Sequence, residues 1–269
     1  MAPIAIQIGA SKSQKENIFN EMSSSNIKFG IAFSEYFGSR DSSSINFSNE
    51  KINGKTIFAI DCDYATDVLV SDASGKIGIV SIEDKNIEIV DLITVDKTRT
   101  SKEIKFSNAN VEILENTKKN TDAIEKALDA GRIITAADTL GASQAMLDKA
   151  VSYSKERKQF NRVIGSFQAV KHMCAEMTAD LEPCYSLVWH AAHSFDNNDD
   201  DSKLMACHAK SHISEVAKMV SKKATEVHGG MGFTDLLGLH FWFKRIGLNR
   251  QLLGAPEIVR NEAAKAQGL

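Results

Sequence analysis

The hydrophobic period of the chain changes once, near residue 119, and that change constrains the fold more than any other feature. Before it, residues 27–114 fall into short runs, IKFGIAFSE, INGKTIFAI, DVLVSD, KIGIVSI, NIEIVDLI and EIKFSNANVEIL, rich in Ile, Val and Phe and bounded by Gly, Ser, Asn or Asp. Runs of that length and composition read as strands. Asn53-Gly54 and the stretch Asp72–Gly75 are turn signals, because Asn and Gly tolerate positive φ. No helical pattern is interleaved, so the sheet is expected to be antiparallel, a small barrel or sandwich.

After the change the period is that of helices. One segment runs from Thr121 to about Glu156, a second from Ser166 to about Phe195, a third from Lys203 to about Val227, and shorter helices follow Thr234. Leu128, Ile134, Leu140 and Met146 sit among alanines and glycines, which suits closely packed helices. Long helices with short connections predict an antiparallel bundle of the four-helix type. The fold class is therefore α+β. The expected division is a helical remnant over residues 1–26, a β domain over 27–116 and a helical bundle over 117–269. The remnant rests on GASKSQKENIFNEMSSS, which reads as the last helix of something longer.

Composition excludes several function classes. A net charge of -3 over 269 residues gives no electrostatic reason to expect nucleic acid. No apolar run approaches the roughly 20 residues that span a bilayer. The start, MAPIAIQIGASKSQK, lacks the pattern of a signal peptide. Cys62, Cys174, Cys184 and Cys207 form no C-x-x-C pair and fit a reducing compartment, so the cytoplasm is expected.

Two segments carry chemistry. Arg157-Lys158-Gln159-Phe160 ends a long helix and precedes Ile164-Gly165-Ser166-Phe167-Gln168. An Arg can grip a pyrophosphate through two parallel charge-assisted hydrogen bonds. Ser166 is a candidate cap for the next helix, whose N-terminus favours anions. Taken alone, an Arg at a helix end is more often a solvated cation. The second segment is Glu226-Val227-His228-Gly229-Gly230-Met231-Gly232-Phe233-Thr234. Its glycines let a ligand approach the backbone, but read in isolation they more often simply end a helix and turn the chain.

The pair of segments, separated by a helical hairpin, resembles the C-terminal domain of the acyl-CoA dehydrogenase family. There an R-x-x-F segment followed by I-x-x-F-Q, and later Q-x-H-G-G-x-G-[FY], hold FAD. Residue by residue, the resemblance implies flavin contacts at Arg157, Gln159, Phe160, Phe167, Gln168, Glu226, His228, Gly229 and Gly230. It extends to Ala32-Phe33-Ser34-Glu35, which is similar to the strand leading into T-E-P, and to Ile52-Asn53-Gly54-Lys55, similar to L-N-G-x-K. The helical segment over 11–25 resembles the end of the family's first helical domain, most of which would precede Met1. The resemblance implies α,β-desaturation of an acyl-CoA: a glutamate removes the α-proton while the β-hydride passes to flavin N5. It also implies an electron-transfer flavoprotein as acceptor, and assemblies in which the FAD tail reaches a neighbouring chain's bundle.

The departures from the family pattern follow one direction. Where Y-E-G-T carries the base, this chain has Leu252-Leu253-Gly254-Ala255, so Leu253 stands in place of the glutamate. The second known position, in L-x-x-E-R, matches Leu128-Asp129-Ala130-Gly131-Arg132 and is Gly131. No catalytic residue is therefore assigned. Glu257 and Asp129 are nearby carboxylates, but each would have to turn onto another face of its helix. T-E-P-x-A-G-S-D becomes Ser34–Asp41, with Arg40 where a small serine is usual. W-I-T becomes Phe58-Ala59-Ile60, which removes a hydroxyl near N5. Glu226 replaces a glutamine. The isoalloxazine half of the site is eroded while the dinucleotide half survives. That asymmetry predicts a subunit sharing FAD with a homologous partner, in a heterodimer or heterotetramer, which supplies the base. The competing expectation is a structural subunit that binds no flavin.

Other constellations favour plain roles. His190 with His193, and His208 with His212, fall short of the four ligands of a zinc site, so no metal is assigned. Phe241-Trp242-Phe243 reads as core or interface, and Asp199–Asp201 as a solvated loop lacking EF-hand spacing.

Overall fold

The structure, a computed structural model, describes residues 1–33 and 45–269. The expected flavin segment Ser34–Asp41 lies outside the described residues. The chain divides into two compact units, residues 1–131 and 132–269. The mixed α+β fold agrees with the change of period.

In the first unit, helix α1 (Ala2–Gly9) precedes α2 (Lys12–Ser23). The sequence reading places one helix over residues 9–25, where α2 lies; α1 is a further helix before it. The start of α2 is fixed at Ser11, whose hydroxyl accepts from the Gln14 backbone N–H while the Gln14 side chain accepts from the Ser11 N–H. That reciprocal pair satisfies donors that a new helix leaves orphaned.

Strands β1 (Phe29–Ala32), β2 (Asn46–Ser48), β3 (Lys51–Ile60), β4 (Asp67–Ser71), β5 (Ile77–Ser81), β6 (Ile87–Asp91), β7 (Ser101–Asn110) and β8 (Glu112–Ile113) follow. They form one sheet of order β6-β7-β3-β1-β4-β5-β8, with β2 beside β3. Two expectations are corrected. The ladder does not close into a barrel among the described residues. The β1–β4 pair is parallel, Phe29 facing Asp67 and Ala32 facing Val70, because β2 and β3 intervene in the chain and supply a long crossover. All other pairs are antiparallel. Ile52, Val68, Val70, Val80, Ile104 and Phe106 form the core of this unit.

Asn53-Gly54 is also corrected. It lies inside β3 at a register shift, where the Asn108 backbone N–H donates to Asn53 Oδ1 over 2.8 Å and Gly54 has φ +116. The residues with positive φ serve a bulge there. The hairpin turn is Asn49-Glu50, with φ +46 and +59, the backbone of a two-residue loop. The stretch Asp72–Gly75 does turn: Asp72 Oδ1 accepts from the Ser74 and Lys76 N–H groups, and Gly75 has φ +84.

The second unit holds most of α3 (Asp122–Glu156), a hairpin of β9 (Lys158–Gln159) and β10 (Arg162–Val163), then α4 (Gln168–Asn197), α5 (Ser202–His228), α6 (Leu239–Gln251) and α7 (Pro256–Ala266). Helix α4 buries Met177, Leu181, Cys184, Val188, Ala191 and Ser194, a stripe at spacings of three or four residues. It packs on α5, whose Ala206, Ala209, Ile213, Ala217, Val220 and Ala224 let the helices approach closely. Ser166 does not cap α4. Phe167 occupies the cap position, and the Ser166 hydroxyl donates backward to Val163 O in the preceding 3-10 turn.

No helix among the described residues is long and apolar enough to cross a membrane.

Candidate functional site

The two chemistry-bearing segments meet in the second unit. Helix α5 ends at His228, and Gly229 follows with φ +57 and ψ -142, a backbone that essentially only glycine adopts. The chain then tightens into a 3-10 turn, Gly229–Phe233. Gly232 is required for a different reason: a Cβ there would lie 2.7 Å from Thr225 O.

On the other side, α3 ends and the hairpin reverses the chain. Its two central residues, Phe160 and Asn161, have φ +52 and +61, the geometry of a tight two-residue turn. Asn tolerates that conformation, whereas for Phe it is an outlier. The Phe160 ring is 86% exposed and meets Phe167 edge-on at 6.1 Å, and the Arg162 guanidinium lies 3.8 Å from the centre of the Phe167 ring.

Between these segments lies a cleft of about 610 Å³, lined by Arg157, Gln159, Phe160, Phe167, Glu226, His228, Gly229 and Gly230. Of the residues singled out in the sequence, Gln168 is not among the lining groups; it is exposed on the first turn of α4, 3.5 Å from His172. Tyr153, Ile164, Val170, Val227 and Met231 complete the wall. The sequence offers no motif for Tyr153. Its ring stacks on His228, centroids 4.5 Å apart, about one helical turn before Arg157. His228 is buried, with Nδ1 2.7 Å from Ala224 O. A carbonyl only accepts, so Nδ1 carries the proton and donates. Neither Arg157 nor Glu226 is ion-paired among the described residues. A Cβ added at Gly229 or Gly230 would meet no atom within 4 Å, so the backbone there faces open space. An exposed guanidinium, bare backbone and aromatic walls fit a phosphate-bearing, flat-ringed group such as FAD.

The positions expected to carry a base are elsewhere. Leu253 lies between α6 and α7, buried, with φ +61, and Gly254 follows with φ +103. Arg132 Nε donates to Leu253 O over 3.1 Å, while its two terminal nitrogens grip Glu262 at 2.7 and 2.9 Å. Gly131 is inside α3 and has no side chain to offer. Glu257 accepts from Arg250 over 3.0 Å; its own backbone N–H at the start of α7, and then Arg250, hold its carboxyl below the usual range. Asp129 is buried and engaged.

Sequence reasoning also missed Lys210. It is 1% exposed and donates to Asn249 O at 2.6 Å and Arg250 O at 3.3 Å, closing the C-terminal end of α6. Burial, then the charges of Arg132 and Arg250, push its ammonium down to about 7. Among the described residues no three of His, Cys, Asp and Glu gather as a metal site. Trp242 packs against the bundle core, while Phe241 and Phe243 are partly exposed.

Comparison with known proteins bears on this arrangement. The family model described as acyl-CoA dehydrogenase, C-terminal domain, matches residues 121–268. The subunit CarC of a caffeyl-CoA reductase-Etf complex from Acetobacterium woodii is 42% identical over 108 residues, 40% of this chain and 28% of that protein's length. A probable acyl-CoA dehydrogenase of Bacillus subtilis, YngJ, is 29% identical over 95% of this chain and 74% of its own. An acyl-CoA dehydrogenase structure from Geobacillus kaustophilus superposes with a TM-score of 0.89 at 20% identity, covering 100% of this chain and 76% of that one. With the family model spanning more than half of the sequence, the chain belongs to the acyl-CoA dehydrogenase family.

Proposed function

We propose that this chain is a flavoprotein subunit of an oxidoreductase acting on a CH–CH bond, taking part in FAD-dependent α,β-desaturation of an acyl-CoA thioester together with a homologous chain. The single observation that carries the reading is the contrast between the cleft and the loop. Arg157, Gly229 and Gly230 remain open toward a ligand, while Leu253 and Gly131 offer no proton acceptor.

Each wall has a task on this reading. Arg157 holds a phosphate through charge-assisted hydrogen bonds, and Gly229 and Gly230 let the same group approach the backbone. Phe160 and Phe167 cover a flat ring, with Gln159 beside them, and the Tyr153–His228 stack forms a rigid floor. Gln168 contributes from the edge. FAD, when bound, supplies the acceptor for the β-hydride. The partner supplies the glutamate that removes the α-proton, since neither Glu257 nor Asp129 is free to do so. On this reading the FAD would be shared between the chains, with an electron-transfer flavoprotein in the cytoplasm as electron acceptor; the Etf complex named for the Acetobacterium woodii relative supports that acceptor. Residues 1–26, 27–116 and 117–269 then act as helical segment, β domain and bundle.

The second reading is a structural subunit that binds no flavin. It is favoured by Glu226, an anion beside the group that would hold a phosphate.

The visible absorption spectrum of the chain, purified alone and with its homologous partner, separates these readings. Flavin absorbance only in the complex, at about one FAD per pair of chains and lost with Arg157→Ala, supports the shared site. Stoichiometric flavin on this chain alone defeats sharing, and no flavin in either preparation leaves the structural subunit.

A further inference from the structure

Glu226 is an anomaly within its own helix. It sits in the last turn of α5, where the helix dipole disfavours negative charge. Its neighbour Lys223 is committed to Glu176, and no ion pair compensates Glu226 among the described residues. It is exposed and lines the same cleft as Arg157, which is likewise unpaired. The two charges come from different elements, Arg157 from the end of α3 and Glu226 from α5, and do not neutralise one another. A cleft holding one free cation and one free anion is polar along its length, and it will orient any ligand that carries an anion and hydrogen-bond donors at different places.

We propose that Glu226 is a specificity-determining residue, which confines phosphate to the Arg157 side of the cleft and takes the sugar hydroxyls of a nucleotide on its own side. The inference deepens the nucleotide reading of the cleft and rests on it. A carboxylate is acceptor-only, with two oxygens that match a pair of adjacent hydroxyls. It repels phosphate oxygens at the distances a cleft of this size imposes. Glu226 thus orients a dinucleotide in the cleft, drawing a ribose to its own side and leaving the phosphates to Arg157. The carboxylate does not contribute to the core, so its replacement changes the cleft and leaves the bundle intact.

The test is calorimetric titration of the full chain with three probes, inorganic pyrophosphate, ADP and adenosine, against Glu226→Gln and Arg157→Met. Glu226→Gln should tighten pyrophosphate about tenfold, the scale of one like-charge repulsion removed near a protein surface, tighten ADP less, and weaken adenosine. Arg157→Met should weaken pyrophosphate and ADP while sparing adenosine. Affinities of all three probes within twofold of the wild type in Glu226→Gln would overturn the role of Glu226 and leave the nucleotide cleft standing. Failure of every probe to bind wild type and both variants, each folded by circular dichroism, would overturn the nucleotide reading itself.

Discussion

The helical unit contains two regions with a family signature, and they are built in opposite ways. The cleft presents its charges to solvent: Arg157 and Glu226 are exposed and without an ion pair among the described residues, and the glycine backbone faces open space. The loop between α6 and α7 is closed from within. Arg132, 4% exposed, is fully occupied by Glu262 and Leu253 O, and Lys210 is spent on the carbonyls that end α6. A charge left open is available to a ligand, whereas a charge consumed internally fixes the fold. One region is therefore open to a ligand and the other is an internal strut.

The contrast breaks most sharply at the two arginines. Arg132→Met removes one partner of a largely buried pair and leaves Glu262 and the Leu253 carbonyl without their donor. Urea unfolding should show a loss of about 3 kcal/mol, at the lower end of the range for such pairs because Glu262 is one-third exposed. Arg157→Met should shift stability by less than about 0.5 kcal/mol, as for other exposed substitutions. Equal losses in the two variants would erase the distinction.

Lys210 sharpens it through pH. Its folded value is lowered to about 7, while the unfolded chain titrates near the ordinary lysine range. Below pH 7 both states are charged, and the fold bears the whole burden of a buried ammonium. As pH rises from 7 toward 10, the unfolded state retains a proton that the folded state has released. The unfolded state then binds more protons, so stability rises with pH. Relative to Lys210→Met, the wild type should gain on the order of 1 kcal/mol per pH unit across that window. A pH-independent difference would mean that Lys210 is not buried as a titrating group.

What could be read from the sequence follows the range of the interactions involved. Arg157-Lys158-Gln159-Phe160 and His228-Gly229-Gly230 were legible because each is contiguous, and its backbone demand, a turn or a helix stop, is local. Tyr153 and Lys210 were not, since their roles depend on helices brought together from distant parts of the chain. Asn53-Gly54 misleads for the same reason: positive φ is legible, but whether it serves a turn or a bulge depends on Asn108 across the sheet. The strands were visible from their composition, yet neither the parallel β1–β4 pair nor the open sheet edge leaves a local trace.

Gly229 measures how much of the cleft is backbone. Because an added Cβ meets nothing, Gly229→Ala carries only the conformational penalty of φ +57, ψ -142, about 1–3 kcal/mol. Thermal unfolding would detect it. A neutral substitution would show that the turn relaxes freely and that the cleft wall is not fixed by this residue.

The smallest expected effect has the opposite sign. Phe160 is held at φ +52 with its ring almost wholly exposed, so it stores backbone strain without contributing to the core. Phe160→Asn places a residue that tolerates this conformation beside Asn161, and only the edge-on contact with Phe167 is lost. The strain relieved, on the order of 1 kcal/mol, slightly exceeds what such a ring contact contributes at the surface. The variant should therefore unfold a few tenths of a kcal/mol later while binding ADP more weakly. Stability and binding moving in opposite directions at one residue would mark Phe160 as belonging to the ligand-facing region. A variant that loses stability with ADP affinity unchanged would instead assign Phe160 to the scaffold.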